Sequence, residues 1–173
     1  DCTALVSLVI PDNAVSLGDY AFANCFDLQT ITFADGTALK EIGEFAFASS
    51  GLTSAVIPDS VTTLGHGAFR STKPTSVTIG TGIASLPDFV FDHCRFLETV
   101  TIGSNITSIG DQAFYGCSKL KTVVCEAETP PTLGGYILSG APNLQIKVPA
   151  GAVEAYKAAP IWSTYEPYIT ANS

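Results

Sequence analysis

Methionine is absent from the 173 residues, and cations are scarce, with eight Lys and Arg against sixteen Asp and Glu. Nucleic-acid binding needs clustered basic side chains to neutralise phosphates, so a formal net charge of −8 argues against it. The same charge disfavours an acidic membrane surface. Long apolar runs are missing too. Nothing approaches the roughly 18 residues that a membrane-crossing helix requires, and no basic stretch followed by an apolar one opens the chain. The chain starts at Asp1 rather than Met, so a processed chain or an excised piece is expected. Charged residues make up only 14%, well under the roughly 25% of an average soluble domain. With 46% apolar residues the chain has ample material for a core and is not a disordered tail. Much of its surface must then be Ser, Thr, Gly and short apolar groups, which suits a β-rich repeat.

Self-similarity bears this out along most of the length. An Ala-Phe pair recurs at Ala21-Phe22, Ala46-Phe47, Ala68-Phe69 and Ala113-Phe114, with Val90-Phe91 in the same slot; the Phe spacings are 25, 22, 22 and 23. Upstream of each pair stands Leu or Ile followed by Gly, at Leu17-Gly18, Ile42-Gly43, Leu64-Gly65 and Ile109-Gly110, with Leu86-Pro87 as the variant. Further upstream lies a short alternating run. Leu5 to Ile10, Leu52 to Ile57 and Leu97 to Ile102 share one frame, and Leu28 to Phe33, Pro74 to Ile79 and Leu120 to Cys125 fit it. Each unit reads as a strand, a Pro- or Gly-marked turn, a second short extended piece, and one tight helical turn bearing the Phe. A single unit buries only one face, so neighbours must stack to make a core. Parallel pairing of six strands gives a sheet roughly 25 to 30 Å long, with the Phe column inside.

The pattern Leu-x-x-Val-x-Ile-Pro, then Ile-Gly-x-x-Ala-Phe-x-x-Cys-x-x-Leu, resembles the BspA-type leucine-rich repeat of bacterial and protozoan surface proteins. The resemblance covers residues 2 to about 125, and Leu144 to Lys157 is similar to the segment that ends many such arrays. Pro74, Pro87 and Thr72 depart from it and loosen the third and fourth coils. It implies an α/β fold: a right-handed leucine-rich-repeat solenoid with one parallel β-sheet, short helical turns and a C-terminal cap. It also implies an extracellular or cell-surface location. Residues 1–125 are expected to hold the repeats, and 126–173 an irregular last coil and the cap, in one continuous domain of a longer protein. More repeats, or another domain, are expected before the first strand, because an uncapped solenoid end is an aggregation hazard. A short helix from about Ala150 to Ala159, stopped by Pro160, should carry Val153, Tyr156, Ile161, Trp162 and Tyr165 over the last rung.

Register turns several tempting sites into structural columns. Cys2, Cys25, Cys94 and Cys117 each lie three residues before a strand-opening Leu, where Ser50 and Thr72 stand in other coils. Cys125 takes an inward strand position. Small buried residues explain all five, and neither metal spacing nor a disulfide framework is seen. Asp19, Glu44, His66, Asp88 and Asp111 follow the Gly slot, and each carboxylate is expected to cap the N–H groups of its own helical turn. His66 and His93 lack a nucleophile and orienting acid in any recognisable motif, and no carboxylate pair is singled out for glycoside hydrolysis. An enzyme is therefore disfavoured, and no metal or cofactor is expected. Asn105-Ile-Thr107 is a glycosylation sequon that matters only in a eukaryotic secretory route.

Two outward strand columns remain, Ser7-Thr30-Ser54-Ser76-Thr99-Thr122 and Val9-Thr32-Val56-Thr78-Thr101-Val124, which strand propensity alone explains. The outward aromatics are less easily explained. Tyr20, Phe45 and Phe89 stand two residues before the core Phe, and Tyr115, Phe26 and Phe96 are further outward positions; aligned, such rings suit protein or glycan contact. The expected function is a non-catalytic protein-interaction or adhesion module, with a protein of the host surface or matrix, or a glycan, as partner. The alternatives are a passive spacer in a longer surface protein and, less favoured, a carbohydrate-active or glycan-binding domain.

Overall fold

A computed structural model describes residues 2, 4–142 and 144–172, leaving Asp1, Thr3, Asn143 and Ser173 outside the described residues. The alternating runs form strands, and each coil adds a second, two-residue strand. The pairs are β1 (Ser7–Ile10) and β2 (Ser16–Leu17), β3 (Thr30–Phe33) and β4 (Glu41–Ile42), β5 (Ala55–Ile57) and β6 (Thr63–Leu64), β7 (Ser76–Ile79) and β8 (Ser85–Leu86), β9 (Thr99–Ile102) and β10 (Ser108–Ile109), and β11 (Thr122–Cys125) and β12 (Thr132–Leu133). β13 (Gln145–Val148), helix α1 (Val153–Ala158) and β14 (Ile169–Ala171) finish the chain. Every pairing is parallel and in the register the repeats dictate, as in Ser7↔Thr30 and Ser76↔Thr99↔Thr122. The chain is a parallel-strand solenoid of about seven turns.

Alternation puts every second strand residue inside. Ile57, Ile79, Ile102 and Cys125 are buried in one file and Ala55, Val77, Val100 and Val123 in the next, while the Ser, Thr and Val columns between them face outward. Phe47, Phe69, Phe91 and Phe114 are buried and stacked at 5.2 to 5.6 Å between ring centroids, with Phe22 continuing the stack at 5.4 Å. Offset stacking at this spacing adds to the gain from burial, so the column works as one body.

The Phe segment departs from the helical turn expected of it. It is a run of hydrogen-bonded turns with left-handed backbone at two positions per coil, such as Tyr20 (φ 56°) and Asn24 (φ 60°), Phe45 and Ser49, and Phe89 and His93. These kinks turn alternate N–H groups toward the next coil. Phe22, Phe47, Phe69 and Phe91 donate to the carbonyls of Ala46, Ala68, Val90 and Ala113 at 2.7 to 2.9 Å. A helix would close those bonds within the turn; here they become a third inter-coil ladder.

The sheet is also interrupted, and proline explains where. The residue after each long strand donates its N–H to the previous coil, as Ala34 does to Ile10 O (3.1 Å) and Gly80 to Ile57 O (3.0 Å). Pro58 fills that slot in the third coil and has no N–H. The long ladder divides there into β1-β3 and β5-β7-β9-β11-β13-β14. In the second ladder the Gly slot does the donating, as Gly65 to Ile42 O (2.7 Å) and Gly110 to Leu86 O (2.9 Å). Pro87 occupies it in the fourth coil, and this ladder splits into β2-β4-β6 and β8-β10-β12. Pro74 causes no such break, because the bonds on either side come from Lys73 and Thr75.

The C-terminal segment closes the core. The β12 strand keeps register with β10, and Ile137 and Leu138 are buried in the Ala-Phe slot of that coil. Tyr156 on α1 donates its hydroxyl to Ala127 O at 2.8 Å, Trp162 donates Nε1–H to Pro131 O at 2.8 Å, and the two rings meet edge to face at 4.9 Å. Both side chains are buried. Ile161, expected in the same cover, is exposed and has φ 66°; that backbone turns it outward so that Trp162 can turn in. A further strand not anticipated from the sequence, β14, pairs with β13.

Candidate functional site

The outward aromatics fall into two groups. Tyr20 and Phe45 stack at 5.3 Å, Phe45 meets His66 edge-on at 5.3 Å, and His66 meets Phe89 at 5.0 Å. The result is a continuous ribbon across four coils, on the outside of the turn whose inside carries the Phe core. Its order comes from the coil spacing: residues in one slot recur about one strand separation apart, which is ring-stacking distance. Phe45 and Phe89 are half-buried in it, and Tyr20 is 59% exposed. Gly67, where the third coil has no ring, leaves the space that Phe45 covers; a Cβ there would lie 2.5 Å from Phe45 Cε1. His66, from the neighbouring slot, fills the gap.

The second group lies where the chain passes from the Phe turn to the strand. Phe26 and Phe96 are exposed, Lys119 Nζ sits 4.9 Å from the Phe96 ring centre, and Tyr115 packs 5.6 Å from His93. These rings do not join the ribbon. Two residues were missed in the sequence. His66 bridges two aromatics, and Tyr136, 73% exposed, takes the ribbon slot of the last coil beside Tyr115 and Gln112. The pair Leu133-Gly134 marks that slot as Leu-Gly does in earlier coils, so the signal for Tyr136 was present.

The acidic column is structural, but by a route other than the one expected. Asp19 Oδ1 accepts from Glu44 N–H (2.8 Å), Asp88 Oδ1 from Asp111 N–H (2.7 Å) and Asp111 Oδ1 from Gly135 N–H (2.7 Å). Each carboxylate caps the following coil and not its own, because with no helix in the Phe segment there is no helical end to cap. The cysteine column is buried and thiol throughout, Cys2 being only half covered. Cys94 and Cys117 donate to Phe69 O and Phe91 O, one coil back, at 3.2 and 3.3 Å. Burial pushes the Cys94 thiol up to about 12 and raises Cys117 further, so neither is a reactive thiolate. Ser50, in the same column, has a buried Oγ with no hydrogen-bond partner among the described residues. Asn105 donates its side-chain N–H to Thr81 O at 2.8 Å, tying two loops. Among the described residues no group of three His, Cys, Asp or Glu is placed to hold a metal ion, and no helix is long and apolar enough to cross a membrane.

Parallel rungs, a stacked Phe column and a 22- to 25-residue frame define a leucine-rich-repeat solenoid, an architecture that presents extended surfaces to partners. The family model described as "BspA type Leucine rich repeat region" matches residues 1–121 in six copies, and the chain belongs to that family. No curated protein sequence matches it. Among solved structures, a leucine-rich repeat protein from Bacteroides ovatus is similar at TM-score 0.56 and 21% identity, covering 99% of this chain and 55% of that one. The pneumococcal vaccine antigen PcpA matches at TM-score 0.45 and 17% identity, over 84% of this chain and 51% of that one. A leucine rich cell surface protein from Faecalibacterium prausnitzii matches at TM-score 0.42 and 20% identity, over 99% and 64%. This chain therefore spans only about half to two thirds of the length of these proteins.

Proposed function

We propose that the chain is a non-catalytic recognition module of an extracellular or cell-surface protein, binding a protein partner through the ribbon Tyr20-Phe45-His66-Phe89. The observation that carries this reading is the placement of three rings at left-handed backbone positions, Tyr20, Phe45 and Phe89. Bulky residues there cost roughly 1 to 2 kcal/mol of strain that Gly, used at Gly67, avoids. The fold has no need of a ring at these positions. Rigid, aligned aromatics with few rotatable bonds are what protein-binding surfaces concentrate. Membership of the BspA-type family supports the surface location.

The test is a pull-down with the chain immobilised against host-surface and matrix proteins and against a glycan array, repeated with Phe45→Ser and Phe89→Ser together. Capture of a protein that the double variant loses supports the reading. Capture unchanged by the variant removes the ribbon from it, and capture of glycans alone overturns the protein partner. No capture of any kind leaves the passive spacer as the better account.

A further inference from the structure

The turn after the Phe core carries a second feature, independent of the ribbon. Its second left-handed position holds Asn24, Ser49, Ser71 and His93 and then, in the last two coils, Gly116 and Gly140. Side chains fill this column up to His93 and stop. Beyond it runs an open trough of about 430 Å³ lined by His93, Arg95, Tyr115, Gly116, Ser118, Ser139 and Gly140. The imidazole leans over the trough: a Cβ on Gly116 would meet His93 Cδ2 at 3.2 Å and Nε2 at 3.4 Å.

The charged end of this trough is pre-organised. Asp92, adjacent in sequence, is buried, and its carboxylate is fully engaged, with Oδ2 accepting from Arg70 Nε at 2.9 Å and Oδ1 bonded to His93 Nδ1. Holding Nδ1 leaves Nε2 as the free ring nitrogen, on the side of Gly116. Arg95 lines both the trough and a smaller cleft of about 210 Å³ shared with Lys73, Ser71 and Phe96. Against the chain's net charge of −8, the residues lining the trough and the cleft include no Asp or Glu. Lys121 is paired with Glu98 at 2.9 Å and Lys119 lies over Phe96. Among the described residues, Arg95 and Lys73 have no carboxylate partner within salt-bridge distance.

A cationic end, an aromatic wall, two serine residues and a glycine backbone floor make a specific combination. The Arg95 guanidinium recognises a carboxylate, and His93 Nε2, left as an acceptor because Nδ1 donates to Asp92, can accept from a sugar hydroxyl. Tyr115 offers a ring face to an apolar sugar face, and Ser118 and Ser139 can exchange hydrogen bonds with ring hydroxyls. The volume falls in the range of small-ligand sites. We infer that the trough over Gly116 and Gly140 binds a carboxylate-bearing sugar residue, with its carboxylate on Arg95, a ring hydroxyl donating to His93 Nε2 and its ring against Tyr115. A carboxylate carried by an acidic peptide would use the cationic end but leave the hydroxyl-lined floor unused.

The experiment is amide NMR titration of the full chain with glucuronate, with glucose and N-acetylglutamate as controls. Saturable shifts at Gly116, Ser118 and Gly140 with a dissociation constant of order millimolar are expected for one sugar unit. Glucose should produce none. Arg95→Gln, whose side chain faces solvent in this trough, should weaken glucuronate about tenfold or more with an unchanged melting curve, and Tyr115→Ser should weaken it less. The inference is overturned if glucuronate shifts nothing at these amides, if Arg95→Gln binds as well as the parent, or if N-acetylglutamate binds as tightly. The ribbon variants Phe45→Ser and Phe89→Ser should leave glucuronate binding intact, so failure of the protein-partner reading and failure of this one are separable.

Discussion

Phe22 and Phe91 hold the same slot of the same repeat, yet Phe91 is fully buried and Phe22 only partly so. The difference is the number of neighbours. Phe91 stacks on Phe69 and Phe114; among the described residues Phe22 stacks on Phe47 alone. Leu8 and Leu17 are likewise half-covered, whereas Val100 and Leu86 are sealed. At the other end the cap residues Tyr156 and Trp162 supply the contacts that the next coil would give. Burial in a solenoid is thus a property of the stack and not of the residue, and stability should rise from the first coil toward the middle.

Truncating the stack tests this most directly. Phe91→Ala should cost about 3 to 5 kcal/mol, the usual toll for emptying a fully packed aromatic site, and Phe22→Ala less than half as much. Equilibrium urea denaturation of both variants reads the difference; equal losses would mean that the first coil is as well packed as the fourth.

Alkaline pH probes the same contrast through the thiols. Burial raises Cys94 from 9.0 to about 12, so above pH 9 the unfolded chain has released a proton that the folded chain retains. By linkage, stability is fully present below pH 9 and is lost as pH rises toward 12, by about 2 kcal/mol near pH 10.5 from this group. Cys117, Cys125 and Tyr156 are raised by burial too and add in the same direction. Thermal melts between pH 7 and 10.5 should fall progressively, and a thiol reagent at pH 8 should modify half-covered Cys2 well before Cys94. Simultaneous modification would show that the middle coils open as readily as the first.

How much of this was legible follows from what repeats encode. Slot identity fixed inside and outside: the Phe file, the Cys file and the hydroxyl files all stand where spacing put them, because a one-residue slip would reverse every side chain. Backbone detail was less legible. Asp before an apolar pair reads equally well as the cap of its own turn or of the next one, and only the left-handed residues at Tyr20 and Asn24, neither of them Gly, decide between them. The breaks at Pro58 and Pro87 follow from a missing N–H, but only once it is known which N–H feeds which ladder. Pro11, the same residue in the first coil, interrupts no pairing between strands of this chain. The trough at Gly116 and Gly140 was invisible because it consists of side chains that are not there, and the Asp92-His93 contact joins residues that the repeat treats as unremarkable.

A gain of stability offers a finer test. Ser50 sits in the cysteine file with its hydroxyl buried and unpartnered, a state that costs roughly 1 to 3 kcal/mol. Replacing it with the residue its column prefers, Ser50→Cys, should stabilise the chain by about 1 kcal/mol, since a thiol is cheaper to bury. Cys117→Ser should do the opposite. Chemical denaturation of both variants checks the pair, and a neutral or destabilising Ser50→Cys would show that the hydroxyl has a partner.

The smallest expected effect concerns the carboxylates that tie one coil to the next. Asp111 accepts from Gly135 N–H and Asp19 from Glu44 N–H, and loss of one such cap costs on the order of 0.5 to 1 kcal/mol. Asp111→Ala loosens the junction to the last coil, which the cap holds; Asp19→Ala loosens the first coil, whose strand pairs only with β3 among the described residues. The two variants should therefore lose similar global stability but differ locally. In amide hydrogen exchange, Asp19→Ala should speed exchange along Tyr20 to Asn24 without touching the middle coils, while Asp111→Ala should change protection in its own neighbourhood only slightly. Faster exchange spreading from Asp111 through coils four and five would mean that the cap, and not the stack, is what keeps the middle of the solenoid closed.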